Sequence, residues 1–153
     1  TSRTSDFGAR NFYTGDNFYT ICRLSNHFSQ SAVVIYYIPD EIFDLIENHV
    51  KLDDINDWKQ IVFKCRNKPS IGIDKQSKID EYKNFIRSLD SNDLISGPIC
   101  ANPSAKSIGK INYISHNFDD KVIVPQQFAF KDSSIDMLHE HLLITLFFEN
   151  SRP

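Results

Sequence analysis

The sequence predicts an α+β fold with a mixed or antiparallel sheet. Apolar runs of strand character gather toward the two ends of the chain, and stretches with helical periodicity lie between them. Size adds a third argument. With 153 residues, 41% apolar and 24% charged, the chain is long enough for one ordinary domain spanning 1–153 and carries enough carbon for a core.

Residues 1–10 read as an arm, loose over residues 1–5. Phe12-Tyr13 before Thr14-Gly15-Asp16 reads as a strand end running into a turn, with Asp16 as a helix cap. Phe18, Ile21 and Leu24, spaced by three, predict a helix over 17–27 against poor intrinsic propensity. Ser31 to Ile38 is a β-branched and aromatic run that stops at Pro39, and it reads as a buried central strand. Ile42, Leu45, Ile46, His49 and Val50 then follow an i, i+3, i+4, i+7, i+8 pattern, predicting a helix that opens at Pro39-Asp40-Glu41. Ile55, Trp58, Ile61, Val62 and Cys65 predict a second helix over 55–66, capped by Asp53 or Asp54. Ile79, Tyr82, Phe85, Ile86 and Leu89 predict a third over 77–89. In the last third, Asp93–Ile99 reads as a short strand broken at Gly97-Pro98. Lys110–Ser115 is a candidate strand, and Val122–Phe130 reads as a strand with Pro125 at an edge or bulge. Asp132 caps a helix through His139, and Leu142–Phe148 forms the last apolar strand.

Composition excludes several classes. Seventeen basic residues against 20 acidic ones, net −3, leave no basic stripe, so no nucleic-acid partner is expected. Cys22, Cys65 and Cys100 form no C-x-x-C, which indicates neither a zinc ribbon nor a disulfide framework and fits a reducing, intracellular setting, cytoplasmic or nuclear. No apolar run reaches the roughly 18–20 residues that span a bilayer, and no membrane association is expected. The polar N-terminus does not read as a signal peptide. Five histidines show no metal-ligand spacing, so no metal is expected, and His49 on an apolar face reads as a partly buried, satisfied ring. Neither a nucleophile elbow nor a phosphate-cradling glycine loop is present.

Two stretches could carry a site. In Asp6–Asp16 an aromatic pair between glycine turns can present a flat ring to a planar ligand, or simply pack into the core. In Val122–Lys131, Gln127 faces opposite to Phe128 and Phe130, where its amide can bond a ligand hydroxyl or satisfy backbone groups at an edge.

Taken in order, the motifs resemble an uncharacterised microbial family allied to the ADP-ribosyltransferase fold. Asp6-Phe7-Gly8-x-x-Asn11-Phe12-Tyr13 is similar to its "D-F-G-x-G-F-Y" segment. Ala32–Asp40 is similar to its central strand, and Asp57-Trp58-Lys59 with Cys65-Arg66-Asn67 to its tryptophan helix. Leu94–Pro103 resembles its "I-x-G-P-I" strand, and Gln127-Phe-Ala-Phe-Lys-Asp with Met137-Leu138 its C-terminal end. The resemblance covers Asp6 to Phe148. It implies a split, mixed and mostly antiparallel sheet of about six strands with three or four flanking helices. It further implies NAD as substrate or NAD or ADP-ribose as ligand, with Tyr13 stacked beside nicotinamide, Asn11 and Tyr19 nearby, and Gln127 at the position of the catalytic glutamate. A carboxylate there stabilises the positive charge that develops on the ribose. Gln127 keeps the hydrogen bonds and lacks the charge. Asn11 replaces a glycine, and the first-motif His or Arg has no counterpart, Arg3 being a poor one. The resemblance therefore implies transferase activity that is weak or lost. The alternatives are a noncatalytic protein-interaction module on the same fold, with an unspecified protein partner, and an unrelated structural domain.

Overall fold

The computed structural model describes residues 5–8, 11–27 and 32–147, and for residues 24–27 the backbone alone. Its elements run β1 (Phe12–Gly15), α1 (Phe18–His27), β2 (Ala32–Tyr36), α2 (Asp40–Phe43), β3 (His49–Lys51), α3 (Ile55–Arg66), α4 (Gln76–Asp90), β4 (Leu94–Pro98), β5 (His116–Phe118), β6 (Lys121–Ile123), β7 (Gln126–Phe130), α5 (Asp132–Glu140) and β8 (Leu142–Phe147). The fold is α+β, with five α-helices among the described residues.

The sheet is divided. Four strands pair in the order β1-β7-β4-β3, a separate ribbon joins β2 to β8, and β5 and β6 form a small hairpin. Among the described strands only the β3–β4 pairing is parallel. The four-stranded sheet is the middle layer. Tyr13, Ala129, Ile95 and Val50 lie in one cross-strand row. That row meets Trp58, Val62 and Cys65 of α3 and Leu89 of α4 in one core cluster. The adjacent row, Phe12, Phe130 and Leu94, faces the opposite way. It packs against Leu138 and Ile135 of α5, Phe43 of α2 and Tyr36 of β2.

α3 and α4 form where their apolar periodicity predicts. Asp54 caps α3 by accepting from the backbone N–H of Asn56 at 2.8 Å and of Asp57 at 3.0 Å, which satisfies groups the helix leaves open. Elsewhere the structure corrects the local reading. The predicted helix from Pro39 to Val50 is one turn, Asp40–Phe43, followed by a strand at His49. Backbone pairing of His49–Lys51 with Leu94–Ser96 takes the segment, sending Val50 to one core and His49 to the other face. β2 is not a central strand but half of the two-stranded ribbon, and Ser31 lies outside the described residues. The strand expected over Val122–Phe130 is interrupted at Pro125 into β6 and β7. β4 runs unbroken through Gly97. Lys110–Ser115 contains no strand; it holds the end of a short 3-10 turn, Ile108–Lys110, and a single bridge from Tyr113 to Cys100.

Two caps also differ. Asn17 rather than Asp16 caps α1, its Oδ1 taking the Thr20 N–H at 2.9 Å, while Asp16 accepts from the N–H of Gln126 at 2.9 Å. Asp132 is the first residue of α5, and Lys131 before it makes no side-chain cap. β8 ends at Phe147; Phe148, Arg3 and the Leu24 side chain lie outside what is described. Among the described residues no helix is long and apolar enough to cross a membrane.

Candidate functional site

Asp6 precedes the sheet, yet its side chain is only 3% exposed. A buried carboxylate is tolerable only when paired and hydrogen-bonded. Arg66, at the end of α3, supplies the pairing through Nε at 2.5 Å and a second contact through Nη2. The Cys100 backbone N–H donates to Oδ2 at 3.1 Å, and Gln127 Nε2 donates to the same oxygen at 2.5 Å. Gln127 also donates to the Pro98 carbonyl at 3.2 Å, which takes the Trp58 indole N–H at 2.9 Å as well. Both amide hydrogens of Gln127 are thereby engaged. Gly97 makes room beneath this knot. A Cβ there would lie 3.1 Å from atoms of Leu52 and Trp58 and 3.3 Å from Phe7, so both rings rest on bare backbone.

Tyr13 and Asn11 form a second cluster beside it. The Tyr13 hydroxyl accepts from the Phe7 N–H at 3.0 Å and from Asn11 Nδ2 at 3.2 Å, and its own hydrogen is shared between Ser5 Oγ and the Gly8 carbonyl, each at 3.1 Å. Ser5, expected in the loose arm, also donates to the Gly8 carbonyl. The Tyr13 ring stacks on Phe7 with centroids 6.4 Å apart. Burial pushes its phenol above the usual value, against the opposing pull of the Ser5 and Asn11 hydrogen bonds. Asn11 donates further to the Phe7 and Gly8 carbonyls. Its Oδ1 is the one buried side-chain polar atom without a partner among the described residues.

The opposite face of the sheet borders a groove of about 990 Å³. Residues 12–16 and 32–36 line it consecutively, with Phe43, Phe128, Phe130 and Leu138 among the remaining walls. Consecutive rather than alternate lining means that the strand edges themselves face the groove, since side chains of one face recur every second residue. Among the described residues β1 is the outer strand of its sheet, and β2 has β8 as its one paired neighbour. Tyr13 and Gln127 both border this groove. Their polar tips, however, lie in the knot on the α3 side.

Tyr19 stands apart, 61% exposed on α1. His116 meets its ring edge-on at 5.5 Å, and the Arg23 guanidinium sits 5.8 Å from its centroid. Thr20, its neighbour, is buried and bonds His116 Nε2 at 2.9 Å and Asn17 at 2.9 Å. The structure thus brings Asn11 to Tyr13 and Gln127 to Asp6, and leaves Tyr19 on another surface.

Sequence reasoning gave no role to Asp6, Arg66, Ser96 or His49 as a partner. The available signal was a lone acid and a lone base, each embedded in apolar sequence, within two of the quoted motifs. His49 Nε2 lies 2.8 Å from Ser96 Oγ on the neighbouring strand, with Phe43 edge-on at 5.3 Å. Burial pulls the His49 pKa below its usual value. Ser96 is buried in mid-strand, its carbonyl already taken by the Leu52 N–H, so this pair ties β3 to β4. Among the described residues no group of His, Cys, Asp or Glu side chains could hold a metal ion.

Fold and site together define an α+β domain with a buried carboxylate knot on one face of its sheet and an open apolar groove on the other. No protein-family model, curated protein or solved structure matches this chain.

Proposed function

We propose that the chain is a noncatalytic binding module on an ADP-ribosyltransferase-like arrangement, and that its groove takes an extended apolar segment of a protein partner. One observation carries the reading: the polar groups a transferase would turn to its substrate are engaged inside the protein. Gln127 donates both hydrogens to Asp6 and Pro98, and the Tyr13 hydroxyl is fully bonded. The resemblance itself is supported by the convergence of its segments. Asp6, Arg66, Cys100 and Gln127 come from four separate motifs, the last three meeting at the carboxylate of the first. Two strand edges with no strand partner among the described residues, bordering a carbon-rich groove, support strand addition as the binding mode.

The test is a panel of extended apolar peptides, read by backbone amide shifts and hydrogen exchange. Binding should protect residues 12–16 and 32–36, and Thr14→Arg should abolish it. Binding that leaves these amides unprotected overturns the groove as the site.

A second reading, NAD binding without turnover, is favoured by the orphan Asn11 Oδ1 beside Tyr13, an acceptor that a carboxamide N–H could satisfy. Calorimetric titration distinguishes the two. No heat at about 1 mM NAD, where binding is worth only about 4 kcal/mol, removes it.

A further inference from the structure

The turn between α3 and α4 holds carbon out of the protein. Ile71 is 83% and Ile73 87% exposed, above every other large apolar residue among the described ones. The turn is nonetheless closed by its own bonds. The Ser70 carbonyl accepts from the N–H groups of Ile73 at 3.2 Å and Asp74 at 3.0 Å, and the Ser70 N–H donates to Asp74 Oδ2 at 2.7 Å. Lys78 Nζ donates to the other Asp74 oxygen at 2.7 Å. Gly72 turns the tip with φ +86°, and a Cβ there would meet nothing within 4 Å. Pro69 is buried and anchors the turn at its start. Folding buries neither isoleucine. An adjacent pair fixed at a tip, unlike apolar residues scattered singly over a surface, points to contact outside the chain.

We infer that this tip is a wedge that docks on an anionic lipid surface, Ile71 and Ile73 entering the boundary between headgroups and acyl chains and the lysines beside them meeting the anionic headgroups. Charge and backbone chemistry together select this occupant. The chain carries net −3, yet Lys68, Lys75 and Lys78 flank the tip against one acid, Asp74. Asp74 is engaged inside the turn, with both oxygens bonded. Lys68 and Lys75 are exposed and form no ion pair among the described residues. The next acids in sequence, Asp80 and Glu81, lie more than a turn into α4, and Asp80 accepts from Gln76 at 2.8 Å. Lysines are mobile point charges, which suit a fluid layer of headgroups; a fixed carboxylate on a protein is better matched by the fork of an arginine. The bonds within the turn also satisfy the backbone donors of Ser70, Ile73 and Asp74, so these need not keep water as the tip enters an apolar boundary. A single apolar anchor holds a membrane only marginally, and an apolar tip with a basic rim supplies two attractions. Docking of this kind needs no apolar run of spanning length, the feature whose absence argued against a membrane in the sequence.

Co-sedimentation of the full chain with vesicles of equimolar phosphatidylcholine and phosphatidylserine tests this, with phosphatidylcholine alone as the control. The expected result is binding to the anionic vesicles that weakens as salt rises and is at least about tenfold weaker on the neutral ones. Ile71→Ser with Ile73→Ser should weaken binding at least about tenfold. Lys68→Gln with Lys75→Gln should weaken it about tenfold on the anionic vesicles alone. All four side chains are exposed, so circular dichroism and urea unfolding of both variants should match the parent. Hydrogen exchange with anionic vesicles present should slow at residues 70–75 and stay unchanged at 12–16 and 32–36, the strands of the groove. No binding to anionic vesicles at any lipid concentration overturns the inference and leaves the tip to a protein partner. So does binding that survives in the folded double isoleucine variant, equal binding to both kinds of vesicle, or protection confined to other segments. The exchange measurement uses the parent chain, so it decides the matter whether or not the variants fold.

Discussion

The two faces of the central sheet treat their polar groups in opposite ways. On the α3 side, polar groups are buried and meet one another: Asp6 with Arg66 and Gln127, Trp58 with the Pro98 carbonyl, Tyr13 with Asn11. Lys131, also buried, adds an ion pair to Asp90 at 2.9 Å where α4 ends. On the ribbon side, apart from the His49–Ser96 pair, the contacts are mostly carbon, edge-on aromatic pairs such as Phe12 with Tyr36 and Phe43 with Phe128 among them. The first face is closed and joins segments distant in sequence. The second leaves strand edges and apolar side chains unmatched. Stability should therefore concentrate on one face and association on the other.

Arg66→Met gives the largest expected effect. It leaves the Asp6 carboxylate buried without its cation and should cost about 3–5 kcal/mol in urea unfolding. A loss below about 1 kcal/mol would dissolve the contrast between the faces.

Thiol chemistry sharpens it next. Burial pushes the Cys65 thiol up to about 12. At pH 8 its thiolate fraction, and so its alkylation, should fall about 10³-fold below that of the unfolded chain. The half-buried Cys22 on α1 should react in the native protein. Because the folded pKa lies above the unfolded value, the contribution of Cys65 to stability is intact below about pH 9 and disappears as pH rises toward 12. Alkaline urea midpoints, compared with those of Cys65→Ala, read this out.

Gln127→Glu follows, at about 1–3 kcal/mol, since it replaces a donor 2.5 Å from the Asp6 carboxylate with a second carboxylate. The neighbour raises the pKa of the introduced acid above its unfolded value. The variant should therefore approach parental stability in acid and fall behind as pH rises. Thermal melts from pH 4 to pH 8 would show the divergence. No divergence would mean that Gln127 does not contact Asp6 in solution.

Smallest is Val34→Thr, on an exposed face of β2 at the groove, expected within about 0.5 kcal/mol when measured in dilute solution. A larger loss would show that this face is packed within the single chain.

The chain also shows where local pattern is a sufficient guide. α3 and α4 were legible because a helix hydrogen-bonds within itself, so a 3.6-residue period and the Asp54 cap specify it without outside partners. Strand partners are not encoded locally. His49 and Val50 fit a helical stripe as well as an alternating strand, and pairing with Leu94 and Ile95, more than forty residues away, decided between them. Ala32–Tyr36 was recognisable as a strand by its composition, but its place at the margin was not. Gln127 was assigned its correct facing by period-2 alternation, while its bond to Asp6 spans 121 positions and has no local signature.

Sequence by itself determined the α+β class, the two long helices and the facing of Gln127 against Phe128 and Phe130 in β7, because these follow from bonding and alternation over a few residues. Tertiary structure decided the rest: the division of the sheet, the groove between its two parts and the single carboxylate on which four motifs converge. Each of those depends on which distant segments exclude water from one another, and a buried charge finds its partners only once the chain has closed around it.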